Sequence, residues 1–129
     1  MPEHPVAPTA VPPLHHAYAI FAAFDAKDLA ALAAWVTEDV RLQIGNAPVV
    51  DGKARFVEAL QAFFASVASV RHTITNVWSD ADAVIAELRV HYTRLDGVEL
   101  TLPCCNVFRV RDGAVADYRV YMDITPVYA

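Results

Sequence analysis

Residues 83–123 read AVIAELRVHYTRLDGVELTLPCCNVFRVRDGAVADYRVYMD, and this stretch decides the fold. Apolar and polar side chains alternate along three segments of it, which is the period of extended strands that have one apolar and one polar face. Asp96-Gly97 and Asp112-Gly113 separate the segments, and Asp-Gly is a strong signal for a two-residue hairpin turn. The stretch therefore predicts three antiparallel strands joined as a meander.

The residues before this stretch predict helices and two further strands. LHHAYAIFAAF from Leu14 and KARFVEALQAFFASV from Lys53 carry apolar side chains at helical spacing, and Asp28 can cap a helix over LAALAAWV. DVRLQI predicts a short strand and SVRHTITNVWS a long one. Helices followed by long antiparallel strands indicate an α+β domain over residues 14–129, preceded by a flexible Pro-rich arm at residues 1–13.

Composition excludes several classes of function. The net charge is −5 and the ten basic residues are dispersed, so we expect no binding to nucleic acid. No apolar run reaches the ~18 residues that a membrane span requires, so we expect no membrane partner. Cys104 and Cys105 are adjacent and form no disulfide framework, which favours a cytoplasmic location. The 56% hydrophobic share predicts a deep apolar pocket or a subunit interface.

Counting outward from the two turns predicts the register of the meander. It places polar side chains on one face in three rows, namely His91–Leu102–Asp123, Arg89–Cys104–Tyr121 and Glu87–Asn106–Arg119. Periodicity alone allows two interpretations of this face: it lies in water, or helices cover it and it walls a pocket. In the second, the more apolar face with Tyr118, Val120 and Met122 would contact another subunit, so we expect a homodimer.

The chain from Leu14 to its end resembles the nuclear transport factor two-like superfamily and, within it, the SnoaL-like domains. The resemblance rests on FDAKDLAALAAWVTEDV, GNAPVVDGKARFVEAL, NVFRVRDG and YRVYMD. It implies a cone-shaped α+β barrel in which three N-terminal helices pack on a curved antiparallel sheet around a pocket, commonly in a dimer. Members include polyketide cyclases, epoxide hydrolases, ketosteroid isomerases, dehydratases, and non-catalytic binding or assembly domains.

The resemblance also implies roles for single residues. Asp123 is at the position of the proton-transfer residue of SnoaL-like cyclases. Asn46 matches a water-holding Asn of the epoxide hydrolases, but Ile44 replaces their Tyr, so the water-activating set is incomplete. Steroid isomerisation is disfavoured because RLQIGN lacks the carboxylate that those isomerases carry there.

We therefore expect Asp123 to be a general acid or base, oriented by Arg89 or His91. The alternative is a buried polar network in which these residues only satisfy one another. His72 is expected to be a hydrogen-bonded structural residue. The expected substrate-binding residues are Asn46, Tyr121, Asn106, Glu87, Arg119, Tyr18 and Cys104.

Two functions follow from these expectations. The first is an enzyme without cofactor or metal that transfers a proton on an apolar, oxygenated small molecule, in a cyclisation, an isomerisation or an epoxide hydrolysis. The second is a non-catalytic dimeric domain of the same fold that binds a small ligand or supports assembly.

Overall fold

The computed structural model describes residues 13–129, with side chains from His16 onward. The predicted Pro-rich arm lies outside the described residues except for Pro13, which begins the first helix. The helices are α1 (Pro13–Asp25), α2 (Leu29–Ala34), α3 (Lys53–Ala65) and α4 (Thr125–Tyr128). The strands are β1 (Val36–Ile44), β2 (Val50–Asp51), β3 (Val67–Asp80), β4 (Ala83–Arg94), β5 (Glu99–Arg111) and β6 (Ala114–Tyr121).

The six strands form a curved, unclosed sheet in the order β2-β1-β6-β5-β4-β3. The last four are the predicted antiparallel meander, and β1 runs parallel to β6 beside it. The α+β class and the packing of three N-terminal helices on the sheet are thus confirmed. Within the described part of the chain, no helix is both long and apolar enough to cross a membrane.

The predicted register between β4 and β5 is wrong because their turn has three residues. The amide of Arg94 donates to the carbonyl oxygen of Val98 at 2.8 Å, so Leu95, Asp96 and Gly97 form the loop. Gly97 has a φ of 89°, the left-handed conformation that such a loop needs near its end. His91 consequently pairs with Thr101 instead of Leu102.

A bulge in β6 produces the second error. Arg111 pairs with Ala114 as predicted, but Val110 pairs with Val115 and Arg109 with Asp117, which leaves Ala116 as an extra residue. A bulge shifts every later pair by one position. The predicted rows do not form; the pairs are Arg89–Pro103, Glu87–Cys105, Cys105–Tyr121, Asn106–Val120 and Val107–Arg119.

The core lies on the face of the sheet that we expected to meet another subunit. Tyr118 is 1% exposed, and its ring lies 6.4 Å from that of Phe24 on α1 and 6.4 Å from that of Phe56 on α3. Val120 and Met122 pack against the same core. The prediction of a subunit interface at this face is wrong, because helices of the same chain cover the sheet there.

Lys27 fixes the end of α1 above the sheet. Its Nζ donates to the carbonyl oxygens of Phe64, Val67 and Ala68 at 3.0, 2.9 and 3.2 Å. These carbonyls lie where α3 ends and β3 begins, so one ammonium group joins two distant turns. Asp25, the last residue of α1, is thereby held beside β3.

Candidate active site

A narrow cavity lies between the sheet and the helices. Its volume is about 30 Å³, within about 370 Å³ of space that is partly open to solvent. Phe24 and Phe63 from the helices and Tyr92 and Tyr118 from the sheet make its walls aromatic. Such a mainly apolar cleft with a few polar groups is typical of a small-molecule site.

His72 and Asp25 form a hydrogen-bonded pair at this cavity. Nδ1 of His72 lies 2.6 Å from Oδ1 of Asp25, and the backbone amide of His72 donates to both carboxylate oxygens at 3.0 and 3.1 Å. A carboxylate only accepts hydrogen bonds, so Nδ1 donates the proton in this contact. In the neutral form of the ring, the lone pair is then on Nε2. The pair therefore presents a base with a defined tautomer.

The His72 ring is held in place and still reaches the cavity. It stacks on Phe21 at 4.8 Å with 20° between the planes and meets Phe24 edge-on at 5.4 Å. Its side chain is 8% exposed and lines the cavity. Among the described side chains, the only fully buried polar atom without a hydrogen bond is Nδ1 of His16. Nε2 of His72 has no hydrogen bond to the described residues and is not fully buried, and the His72 side chain lines the cavity.

Two tyrosines supply neutral hydroxyl groups. Burial raises the pKa of Tyr118 well above its usual value, and burial also raises the pKa of Tyr92. Tyr92 donates to Sδ of Met122 at 3.6 Å, whereas the Tyr118 hydroxyl has no hydrogen bond to the described residues. Tyr118 can therefore donate to a ligand in the cavity.

Asn106 and Cys104 are predicted site residues that do line the cavity. Asn106 is 2% exposed, and its Oδ1 accepts a hydrogen bond from Sγ of Cys104 at 3.3 Å. This leaves the amide nitrogen of Asn106 as a second donor. Burial raises the pKa of Cys104 to about 12, so the thiol stays protonated at neutral pH and is a poor nucleophile.

Five other predicted residues lie on the outer face of the sheet, away from the cavity. Glu87 accepts from Nδ2 of Asn76 at 2.9 Å, and Nε of Arg119 donates to Asp117 at 2.9 Å. The ring nitrogens of His91 bond to the hydroxyls of Thr101 and Thr73 at 2.9 and 3.1 Å. The exposed side chains on this face include Arg89 and Tyr121. The two register shifts move β5 relative to β4 and β6, which separates Cys104 and Asn106 from these five residues.

Tyr18, expected to reach the pocket from the first helix, is 53% exposed. It is not among the side chains that line the cavity. Tyr18 therefore lies on the solvent side of α1, whereas Phe21 and Phe24 of the same helix face the core.

Asp123 and Asn46 lie in a separate outer basin of about 320 Å³. Asp123 is exposed, and its Oδ1 accepts a hydrogen bond from the amide of Thr125 at 3.0 Å. Hydrogen bonds from the side chain and backbone of Thr125 lower the pKa of Asp123, so its carboxylate is ionised at neutral pH. The basin touches the cavity only through shared apolar walls, since Ile44, Met122 and Ile124 line both.

The sequence analysis did not identify His72 and Asp25 as a pair. The available signal is that His72 alternates with Val70 and Ile74, which puts a histidine on an apolar strand face. No local pattern connects it to Asp25, which lies 47 residues earlier. Within residues 16–129, no cluster of His, Cys, Asp and Glu could hold a metal ion.

The family model of the SnoaL-like domain matches residues 17–118. This chain belongs to the SnoaL-like family. The resemblance drawn from the sequence is therefore confirmed. A search of curated proteins finds no match to this SnoaL-like chain.

Solved structures confirm the fold of this SnoaL-like protein. An epoxide hydrolase of Mycobacterium tuberculosis, described as LEH-like, has a TM-score of 0.78 at 20% identity, over 90% of this chain and 86% of the other. A protein of Jannaschia sp. CCS1, provisionally assigned as a SnoaL-like polyketide cyclase, has a TM-score of 0.80 at 16% sequence identity, over 99% of this chain and 94% of the other. An NTF2-like protein of unknown function from Burkholderia pseudomallei has a TM-score of 0.83 at 16% sequence identity, over 91% of this chain and 98% of the other.

Proposed function

We propose that this SnoaL-like protein is an enzyme that transfers a proton on a small, apolar, oxygenated molecule without a cofactor. The observation that carries the proposal is the 2.6 Å contact between His72 Nδ1 and Asp25 Oδ1 at the wall of an aromatic cavity. Histidine is the commonest general base, and an adjacent carboxylate favours its protonated form during the reaction. The base is thus His72, and Asp25 is its positioning residue.

The cavity supports removal of a proton next to a carbonyl group. Nε2 of His72 takes the proton, the C–H electron pair forms a carbon–carbon double bond, and the carbonyl π pair moves onto oxygen. The Tyr118 hydroxyl and the Asn106 amide are neutral donors at the same cavity that would stabilise this oxyanion. Returning the proton to another carbon completes an isomerisation. Attack of the enolate carbon on a second carbonyl, whose oxygen then takes the proton, completes a cyclisation.

Epoxide hydrolysis fits the cavity less well. It needs a base for water and an acid for the epoxide oxygen at the same time. His72 is the one charged or basic side chain among the residues that line the cavity, and the carboxylate of Asp123 faces the outer basin instead. The LEH-like relative supports the fold at 20% identity and does not carry its reaction over to this chain.

Proton exchange in D₂O tests the proposal directly. We expect the protein to speed deuterium incorporation next to the carbonyl of 2-tetralone, followed by NMR, and we expect no hydrolysis of styrene oxide. His72→Gln removes the base and should slow exchange by about 10²–10⁴-fold. Asp25→Asn should also slow it, because the wrong ring tautomer becomes favoured.

Asp123→Asn and His91→Gln are the matched controls, since both residues lie outside the cavity. We expect each to leave the exchange rate within about threefold of the parent protein, a range ordinary for changes away from the reacting atoms. Equal exchange by His72→Gln and the parent protein would refute the proposal.

The alternative, a non-catalytic ligand-binding domain, has one observation in its favour. Some polar groups of the cavity already bond to each other, as in the contacts Cys104–Asn106 and Tyr92–Met122. That function predicts that 2-tetralone binds, seen as chemical-shift changes at cavity residues, without any exchange that depends on His72.

A further inference from the structure

We propose that residues 122–129, here called the C-terminal strap, are the gate through which ligands enter the cavity. This inference rests on the proposed function only in placing the site in the cavity. A volume of about 30 Å³ holds the centres of two or so water molecules. Although the surrounding space is partly open to solvent, an organic ligand larger than that fits between the sheet and the helices only when part of the wall moves.

The strap is a part of the wall that neither strand pairing nor one of the longer helices α1 and α3 holds. Tyr92, Asn106 and Tyr118 lie within β4, β5 and β6, where each strand is paired on both sides. Met122 and Ile124 follow the end of β6 at Tyr121. Moving the strap therefore breaks no strand pairing between these elements.

Few contacts hold the strap closed. Val127 is its only buried residue, at 4% exposure. The Tyr128 hydroxyl lies 2.7 Å from Oγ of Ser66, and Nη1 of Arg94 donates to the carbonyl oxygen of Pro126 at 3.3 Å. Ser66 already donates its own proton to Phe63 at 2.6 Å, so Tyr128 is the donor in the first contact. A third contact is the Tyr92 hydroxyl, which donates to Sδ of Met122 at 3.6 Å, and Met122 and Ile124 pack at the edge of the core. The Tyr128 and Arg94 contacts lie outside that core and can break separately.

The entry route leads from the outer basin. Ile44, Met122 and Ile124 line both the basin and the cavity, so these three side chains form the partition. The Ile44 side of the partition is fixed, because the amide of Gly45, next to Ile44, donates to the carbonyl oxygen of Val120 in β6 at 2.8 Å. Displacement of Met122 and Ile124 with the strap opens the partition.

The chemical reactivity of the Cys104 thiol can measure opening of the cavity without any bound ligand. Its thiol lines the cavity and the residue is 6% exposed. In the full chain carrying Cys105→Ser, the burial of Cys104 makes its reaction with methyl methanethiosulfonate slow, and opening of the cavity exposes the thiol and speeds it. The rate of its modification, measured by mass spectrometry, therefore reports the open fraction.

Tyr128→Phe and Arg94→Gln each remove one contact of the strap. We expect each to raise the modification rate of Cys104 about three- to tenfold, the change that loss of one hydrogen bond produces, and the pair to raise it further. Asp82→Asn is the matched control: it removes an exposed ion pair with Arg109, 3.8 Å long, that does not involve the strap. We expect it to leave the rate unchanged.

Urea unfolding of each variant separates the gate from global opening. The proposal is overturned if the strap variants leave the rate unchanged, or if the rate rises only in proportion to the unfolding constant. The exchange assay with His72→Gln tests the proposed function independently, because thiol modification requires no catalysis. Either inference can therefore fail while the other stands.

Discussion

At the scale of single residues, the face of the strand on which a polar side chain lies decides whether it lines the cavity or meets solvent. Asn106 and Tyr118 face the cavity, whereas Arg119 and Tyr121 on the same strand pair face outward. The chemically richer residues of the sequence, Glu87, Arg89 and His91, are on the outer face. The inner set consists of one imidazole, one amide, one thiol and two phenolic hydroxyls, and the proposed function depends on these groups.

Tyr118→Phe tests the role of the unpartnered hydroxyl. We expect the exchange rate of 2-tetralone to fall about a hundredfold, as when one oxyanion donor is removed, while the urea midpoint stays close to that of the parent. The hydroxyl has no hydrogen bond to the described residues, so its loss leaves no protein group unsatisfied.

Tyr92→Phe is the control, because the Tyr92 hydroxyl already donates a hydrogen bond to Sδ of Met122. It should lower the exchange rate much less than Tyr118→Phe. A similar fall in the exchange rate with both substitutions would mean that the rate does not depend on the hydrogen-bond donor of Tyr118 in particular.

At the scale of elements, two turns and one β-bulge position the site. The three-residue turn after β4 and the bulge at Ala116 set which side of β5 meets the helices. The turn between α1 and α2 places Asp25 and holds Lys27 at a φ of 54° with three carbonyl acceptors. A change in one of these turns or in the bulge would move His72 relative to Asp25, or would turn the side chains of a strand to the opposite face of the sheet.

Asp28 caps α2, as the sequence predicts, and its carboxylate accepts from the amide of Ala31 at 3.0 Å. We expect Asp28→Ala to lower the free energy of unfolding by about 1 kcal/mol, the usual contribution of an N-cap. Equilibrium denaturation in urea measures this loss.

Asp28→Ser is the matched variant, because serine also caps well; it should retain most of the stability. Equal destabilisation by alanine and serine would show that the carboxylate acts through something other than the cap.

At the scale of the whole molecule, the homodimer remains a prediction, and the outer sheet face is the surface on which we expect it to form. That face carries Tyr121 at 57% exposure and Trp78 at 52%, among the charged side chains Glu87 and Arg89. Aromatic residues within a polar rim are typical of protein interfaces. We expect a dimer by sedimentation velocity at micromolar concentration.

Tyr121→Lys should convert that dimer to a monomer by placing charge in the interface. Tyr18 is the matched control, since it is 53% exposed but lies on α1, so Tyr18→Lys should leave the dimer intact. A parent protein that sediments as a monomer would contradict the prediction.

The sequence by itself determined the kinds of element and their order. Alternation in residues 83–123, the Asp28 cap and the apolar stripes of the helices are local patterns, and each one maps to a local backbone structure. They were enough for the α+β class and for the family.

Only the tertiary structure decided which face of the sheet is covered and which base reaches the cavity. One residue in the loop at Asp96 and one extra residue at Ala116 reverse the facing of a strand, since side chains alternate with period two. The contact of His72 with Asp25 joins positions 47 residues apart, through the packing of α1 on β3. Such a contact depends on the whole packed arrangement, and no local spacing encodes it.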